Sequence, residues 1–329
     1  MKIFVAGAAG VVGNRLVPLL VRNGYEVVAM TRSSRKADWA RRVGAEHVAA
    51  DGLDREAVLR AVEAAQPDAI IHQMSALTGS GNLKEFDRDF ALTNRLRTEG
   101  TDHLLEAARD NGVRRFIVQS YGNWNYERAG SSPKSEADPL DPAPAAKQRE
   151  TLAAIRYLEA AVTEAPGIDG FALRYGNFYG PVTGFAPDGA IAAMVRKRQL
   201  PVVGNGQGVW SFIHVDDAAA ATMAAITSDA PGIYNICDDE PAPVGVWLPA
   251  YAKIIGAKPP MHVPAWLAHF LIGEVGVSMM TKIRGASNHK ARAALGWQPH
   301  FARWRDGFRH DFRNATAAEP VSDHRVAHV

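Results

Sequence analysis

Three glycines, Gly7, Gly10 and Gly13, follow the first apolar run of the chain in the stretch GAAGVVG. Between a strand and a helix this spacing suits a dinucleotide pyrophosphate. The first glycine takes the tight turn, the second lets backbone approach the phosphates, and the third lets helix pack closely on strand, while the helix N-terminus faces the anion. The second strand ends in MTRSSRK. A carboxylate there would hold both ribose hydroxyls of NAD, but the positions are filled by Thr31, Arg32, Ser33 and Arg35, whose guanidinium and hydroxyl groups suit a 2′-phosphate. The expected cofactor is NADP(H), with NAD(H) as the alternative. Lys147, in PLDPAPAAKQRE, admits two readings: a solvated charge where loop becomes helix, or a working cation. Tyr121, in QSYGNW, leaves the carboxyl end of a strand, where open sheets place their ligands. A phenol with an ordinary pKa of about 10 needs a nearby cation to move protons near neutral pH, and Lys147 would supply it. His214, Asp216 and Asp217 in FIHVDD have the types of a metal or acid–base cluster, yet the two aspartates are more simply caps of the alanine-rich helix that follows. The 11 histidines show no ligand spacing, so no metal is expected.

These groups need elements to hold them. KIFVAG, EVVAMTR, EHVAAD, AIIHQMSAL, RRFIVQSYG and DGFALRYGN read as strands, and helical patterns fall between them at 14–24, about 35–43, 54–65, 92–111 and 147–164. The alternation implies an α/β fold: a doubly wound parallel sheet of Rossmann type. The dinucleotide-binding domain spans 1–175, with 212–228 expected to return to it. A smaller substrate domain over the carboxyl ends of the strands takes 176–313, and 314–329 reads as a mobile tail. Residues 284–297 read as a basic helix ended by Gly296, with Arg284 and Asn288 placed where they could line a cleft.

Composition excludes several classes. Lys plus Arg number 37 against 35 for Asp plus Glu, a net charge of +2, so no global field favours nucleic acid or an anionic membrane. Cys237 is the single cysteine, which rules out an internal disulfide and fits a reducing compartment. The N-terminus shows no charged segment leading into a removable apolar core, and a cytoplasmic location is expected. The apolar stretch 261–280 carries two histidines and Glu274, and is expected as a buried or ligand-lining helix rather than a membrane span.

Taken together, GAAGVVG, VAADGLD, LRYGNFYGP and GNGQGVWSFIHVDDAA resemble the extended short-chain dehydrogenase/reductase superfamily, the NAD-dependent epimerase/dehydratase group, over about residues 1–300. The resemblance implies that Asp51 meets the adenine and that Met74 to Ala76 pass beside the adenosine ribose. It also implies a catalytic Ser or Thr after the fifth strand and a Tyr-x-x-x-Lys pair at the start of the next helix. Lys147 matches the lysine and would bind the nicotinamide ribose, but Ala143 stands where the tyrosine belongs. Ser120 or Tyr121 occupies the serine's place, and Arg97 replaces an asparagine that the family often carries there, with Asn94 one turn earlier. Three functions follow: a reductase or dehydrogenase with Tyr121 as relocated acid and Ser120 as second donor; an isomerase or lyase without net redox; or a non-catalytic NADP(H) sensor. Tyr175 and Tyr179 are reserve acids, and Tyr175 also borders the cofactor. Family members that act on nucleotide sugars usually carry an arginine just before FIHVDD, whereas this chain reads Val209-Trp210-Ser211. Trp210, Phe178, Tyr179 and Phe185 therefore point to a small apolar or aromatic substrate. Besides that small molecule, a second copy of the chain is left open as a partner.

Overall fold

The computed structural model describes residues 1–77 and 82–318. Strands β1 (Lys2–Ala6), β2 (Glu26–Thr31), β3 (Glu46–Ala49), β4 (Ala69–His72), β5 (Arg115–Tyr121) and β6 (Asp169–Tyr175) alternate with helices α1 (Gly13–Arg22), α2 (Ala37–Arg42), α3 (Arg55–Ala65), α4 (Phe86–Arg97), α5 (Glu99–Asp110) and α6 (Arg149–Thr163). The chain continues through β7 (Asn177–Tyr179), α7 (Ala190–Arg196), β8 (Val202–Val203), β9 (Val209–Trp210), β10 (Phe212–His214), α8 (Val215–Thr227) and β11 (Gly232–Ile236). It ends with β12 (Ala242–Pro243), α9 (Val244–Ile254), β13 (His262–Val263), α10 (Ala265–Thr281), α11 (His289–Leu295) and α12 (Trp304–Ala318). Among the described residues seven strands form one sheet in the order β3-β2-β1-β4-β5-β6-β11, every pair parallel. Alternation along each strand feeds two cores. Ile3 and Val5 pack beneath α1 and α8, whereas Phe4 and Ala6 pack beneath α3, α5 and α6.

The sheet has one strand more than the sequence patterns led us to expect. β11 pairs with β6 through Gly232↔Phe171 to Ile236↔Tyr175, so the return to the large domain runs beyond 228 to residue 236. The helical pattern 92–111 resolves into two helices that break at Thr98 (φ −97, ψ −82), and the first of them begins at Phe86. Residues 314–318, expected in a mobile tail, continue α12, and 319–329 lie outside the described residues. The helix expected over 284–297 is confined to His289–Leu295, with Gly296 in the left-handed region at φ 60.

The small domain has its own aromatic core, in which Tyr179, Phe185, Phe212, Trp247, Tyr251, Trp304 and Phe308 are buried together. Helix α10 breaks at Gly273, whose φ of 71 no β-carbon-bearing residue adopts cheaply. Its second half buries Val275 and Met280, but its first half exposes Trp266, Phe270 and Leu271, so only one half matches the buried helix expected there. No helix among the described residues is long and apolar enough to cross a membrane.

Candidate functional site

The β1–α1 turn builds a cradle that only glycine fits. Gly7 has φ +83, and a β-carbon there would come within 2.6 Å of the Gln73 carbonyl; one on Gly13 would reach 2.3 Å from the Ala8 oxygen. Helix α1 begins with no side-chain cap and no acidic residue in its first turn, leaving its N-terminal N–H groups and positive end for an anion. Gly7 and Gly10 open onto a cleft of about 510 Å³ that continues past Arg32, Met74 and Ala76. A larger cavity of about 790 Å³ opens among α7, α9 and α12 and shares no lining residue with this cradle.

The cofactor residues expected from sequence divide. Met74, Ala76, Thr31 and Arg32 line the cleft, but the buried Thr31 hydroxyl donates to the Ser33 carbonyl at 2.8 Å and accepts from His47 Nε2 at 2.9 Å. Ser33 and Arg35 are exposed beside it. Among the described residues no ion pair engages Arg32 or Arg35. Asp51 is exposed between the lining residues Ala50 and Gly52 and accepts from the Leu53 N–H at 3.0 Å. Tyr175 is a correction: it is fully buried, and its hydroxyl is shared between Thr222 at 2.6 Å and Gln73 at 3.3 Å. It does not line the cleft.

Ser120, Tyr121 and Lys147 are not brought together. Ser120 is 2% exposed and donates to Glu159 Oε1 at 2.6 Å. Glu159 is in turn clamped by two hydrogen bonds from Arg174, whose third goes to the Tyr126 hydroxyl. The serine is a strut in a buried ionic network. Tyr121, partly buried, donates to Asn177 Oδ1 at 2.8 Å, and burial pushes its phenol well above the usual range. The cation that acts on it is Arg97, not Lys147. Lys147 sits in a short 3₁₀ turn, Ala146–Gln148, ahead of α6; its side chain is 59% exposed and faces Glu85 at 3.8 Å.

Thr151, Ile155 and Glu159 follow one another at i,i+4 on α6, and Glu159 of this row reaches Ser120 of β5. A Tyr-x-x-x-Lys pair carried on this row would fall on Thr151 and Ile155. Thr151 gives its N–H and hydroxyl to Asp87 Oδ1, at 2.9 and 2.7 Å, and Ile155 packs with Trp124, Phe86 and Tyr121. Neither a phenol nor an ammonium stands there.

The expected substrate aromatics also divide. Tyr179 and Phe185 are corrections: both are locked in the small-domain core, so neither reaches a cleft. Burial and surrounding carboxylates push the Tyr179 phenol far up. Phe178 packs on Tyr175 with ring centroids 5.3 Å apart. Of these four, Trp210 alone borders the cluster of Tyr121 and Trp124; its Nε1–H donates to the Met279 carbonyl at 2.9 Å. His214 caps α8 by accepting from the Asp216 N–H, while Asp216 pairs with Arg15 and Asp217 accepts from the His300 and Phe301 N–H groups, so the aspartates tie elements together rather than cap their own helix. No group of metal-ligating side chains occurs among the described residues. Asn288 is buried, donating to the Cys237 carbonyl and Asp239, and Arg284 Nε–H donates to the Arg128 carbonyl; the two fasten loops.

Sequence reasoning missed Asn177 and Glu159 as partners of Tyr121 and Ser120, and Asp87 as the partner of Thr151. The i,i+4 spacing of Thr151, Ile155 and Glu159 was the available signal. It also missed His72, 1% exposed, which accepts from the Met74 N–H at Nδ1 and therefore donates Nε2–H to the Leu96 carbonyl.

The model of the NAD dependent epimerase/dehydratase family matches residues 3–237. The chain is 46% identical over 316 residues to a 3-diazoavenalumate denitrifying reductase from a Streptomyces species, covering 93% of this chain and 99% of that protein. Among solved structures it is similar to the UDP-glucose 4-epimerase of Thermus thermophilus in complex with NAD, with a TM-score of 0.70, 26% identity, and coverage of 96% of this chain and 100% of that one. The UDP-glucose 4-epimerase of Thermotoga maritima with UDP-glucose matches with a TM-score of 0.73 at 24% identity, covering 96% of this chain and 100% of that one.

Proposed function

Because the chain belongs to the NAD-dependent epimerase/dehydratase family, we propose that it is an NADPH-dependent reductase that replaces the dinitrogen of an aromatic diazo compound by hydrogen. Its standing as an oxidoreductase that takes a nicotinamide cofactor follows from the family and from a reductase relative at 46% identity. The substrate and the cofactor's phosphate are the proposed part.

The observation that carries the reading is that the groups expected as proton donors at the end of β5 are engaged elsewhere, Ser120 with Glu159 and the buried Tyr121 phenol with Asn177, while Thr151 is bound to Asp87 and Ile155 lies in an apolar cluster. Reducing a carbonyl requires a proton for the developing alkoxide, and general acids contribute about 10²–10⁴-fold to such steps. A diazonium carbon requires none: one hydride enters, the carbon–nitrogen bond breaks with both electrons leaving on nitrogen, and dinitrogen departs. When bound, the reduced nicotinamide supplies the hydride. The residues of this chain hold and enclose. Gly7, Gly10 and the start of α1 take the pyrophosphate, Met74 and Ala76 the adenosine, and Tyr121, Trp124 and Ile155 keep water from the apolar floor at the end of β5. Trp210, bonded to Met279, fills the approach where a sugar diphosphate would need a cation. The activity of the Streptomyces relative, a denitrifying reductase of a diazo compound, agrees with this chemistry.

Arg32, lining the cleft without an ion-pair partner among the described residues, supports NADPH over NADH. The test is a purified-protein assay with a diazotised aminohydroxybenzoate, following reduced-nicotinamide absorbance and dinitrogen together. One dinitrogen per NADPH is expected, with NADH at least about tenfold weaker in affinity, as for loss of charge-assisted hydrogen bonds to a phosphate. NADPH bound tightly without any turnover would make the chain a sensor; product change without NADPH loss would make it a non-redox enzyme.

A further inference from the structure

Arg97, the last residue of α4, is 8% exposed. Its guanidinium has one hydrogen-bond acceptor among the described residues, Asn94 Oδ1 at 3.2 Å, and no carboxylate within ion-pair distance. Four of its five N–H donors therefore lack an acceptor among those residues. That is unusual for a buried charge, which is normally paired. The contrast within the same region is Arg174, also buried, which spends three hydrogen bonds on Glu159 and Tyr126.

The surroundings of Arg97 are aromatic. Its guanidinium carbon lies 5.9 Å from the Phe90 ring centroid; Phe90 stacks on Phe86 at 4.3 Å, Phe86 meets Trp124 edge-on at 5.3 Å, and Trp124 lies 6.0 Å from Tyr121. The Glu159 carboxylate, the Tyr121 phenol and the His72 imidazole are ionisable groups coupled to it. Burial brings Arg97 down to about 10, which still leaves it charged at neutral pH. The preceding residue, Leu96, lines the cofactor cleft. A desolvated cation with free donors, a run of aromatic faces and the cofactor cleft thus meet at the carboxyl ends of β4 and β5.

Resting on the reductase reading above, the geometry points to Arg97 as the receptor for the carboxylate of an aromatic acid substrate. The planar guanidinium takes a carboxylate through two parallel N–H···O bonds, and the aromatic run takes the ring. Arg97 stands where the family resemblance implies an asparagine, so a buried positive charge lies at the end of α4, directed at substrate.

Binding tests this without turnover. The NADP⁺-loaded protein is titrated calorimetrically with 4-hydroxycinnamate and with its methyl ester. The acid is expected to bind about ten- to hundredfold tighter than the ester, the range for charge-assisted hydrogen bonds. Arg97→Gln should abolish the difference while leaving NADP⁺ affinity unchanged. Arg97→Lys, which keeps the charge but loses the fork, should retain part of it and serves if the glutamine variant does not fold. Equal binding of acid and ester by the native protein, binding of neither, an acid preference that survives Arg97→Gln, or a loss of NADP⁺ affinity in its place each overturns the assignment. Failure of the diazo reading would leave the acid–ester difference intact. Failure of this inference would leave reduction intact, with acid and ester used alike.

Discussion

Substituting Tyr121 by Phe separates hydride delivery alone from acid-assisted reduction. The phenol donates one neutral hydrogen bond, to Asn177 at 2.8 Å, beside the neutral Asn123 amide, and burial keeps its proton on. Loss of such a bond costs about 0.5–1.5 kcal/mol, and at 1.36 kcal/mol per factor of ten a comparable loss in the transition state lowers turnover by no more than about tenfold. A group that donates a proton in the reaction would cost about 10²–10⁴-fold. The expected outcome for Tyr121→Phe is therefore kcat within about tenfold of the native value, a Tm lower by at most about 4 °C, and unchanged NADPH affinity. Steady-state rates of NADPH oxidation at saturating diazo substrate, with calorimetric melting of the same samples, provide both numbers. A hundredfold fall in kcat at unchanged Tm would refute the reasoning and restore the tyrosine as acid.

Lys147→Met should leave turnover, NADPH affinity and stability within about 0.5 kcal/mol of native, because its side chain is 59% exposed and its one ion pair is loose; a tenfold loss in either kinetic parameter counts against this. Gly13→Ala should abolish NADPH binding in a fluorescence titration, since the added carbon would lie 2.3 Å from the Ala8 oxygen and the α1 N-terminus must shift to admit it. Glu159→Gln should destabilise the protein by about 3–5 kcal/mol in denaturant unfolding, leaving Arg174 buried with no counter-charge. His72 is held near 4 by burial, so the unfolded chain takes up its proton first as pH falls. Stability is full above about 6.5 and declines down to about 4, by about 3 kcal/mol from this group; the decline should shrink in His72→Asn, and an identical pH profile in that variant would contradict it.

The fold and the glycine-lined cleft were legible because each rests on local pattern. Apolar strands, helical periodicity and GAAGVVG each sit within a few residues of one another, and the structure keeps Gly7, Gly10, Met74 and Ala76 on one cleft. β11 escaped notice because GIYNI pairs with β6 across more than fifty residues of other structure. The catalytic region was misread for a different reason. Types were right in the string but directions were not: Ser120 turns inward to Glu159, Tyr175 and Tyr179 are buried, and a 3₁₀ turn carries Lys147 to the surface before α6 begins. Side-chain direction depends on where a helix starts to within one residue, which composition does not reveal. Arg97 stood out as a departure in the sequence, but that its guanidinium is buried and largely unbonded depends on α4, α6 and β5 meeting.

The place of β11 also bears on synthesis. Until residues 232–236 emerge, β6 is an outer strand with its Phe171–Tyr175 backbone unpaired on one side, a template for pairing with another nascent chain. At roughly 5–20 residues per second, the interval from position 175 to 232 leaves that edge open for about 3 to 11 seconds on the ribosome. The intervening segment contains β7 to β10 and α8, which packs on α1, so part of the small domain is made before the large sheet closes. The sheet closes at residue 236 while the small-domain core still awaits Trp247, Trp304 and Phe308, so a chain released within that window would carry an open β6 edge rather than a folded half.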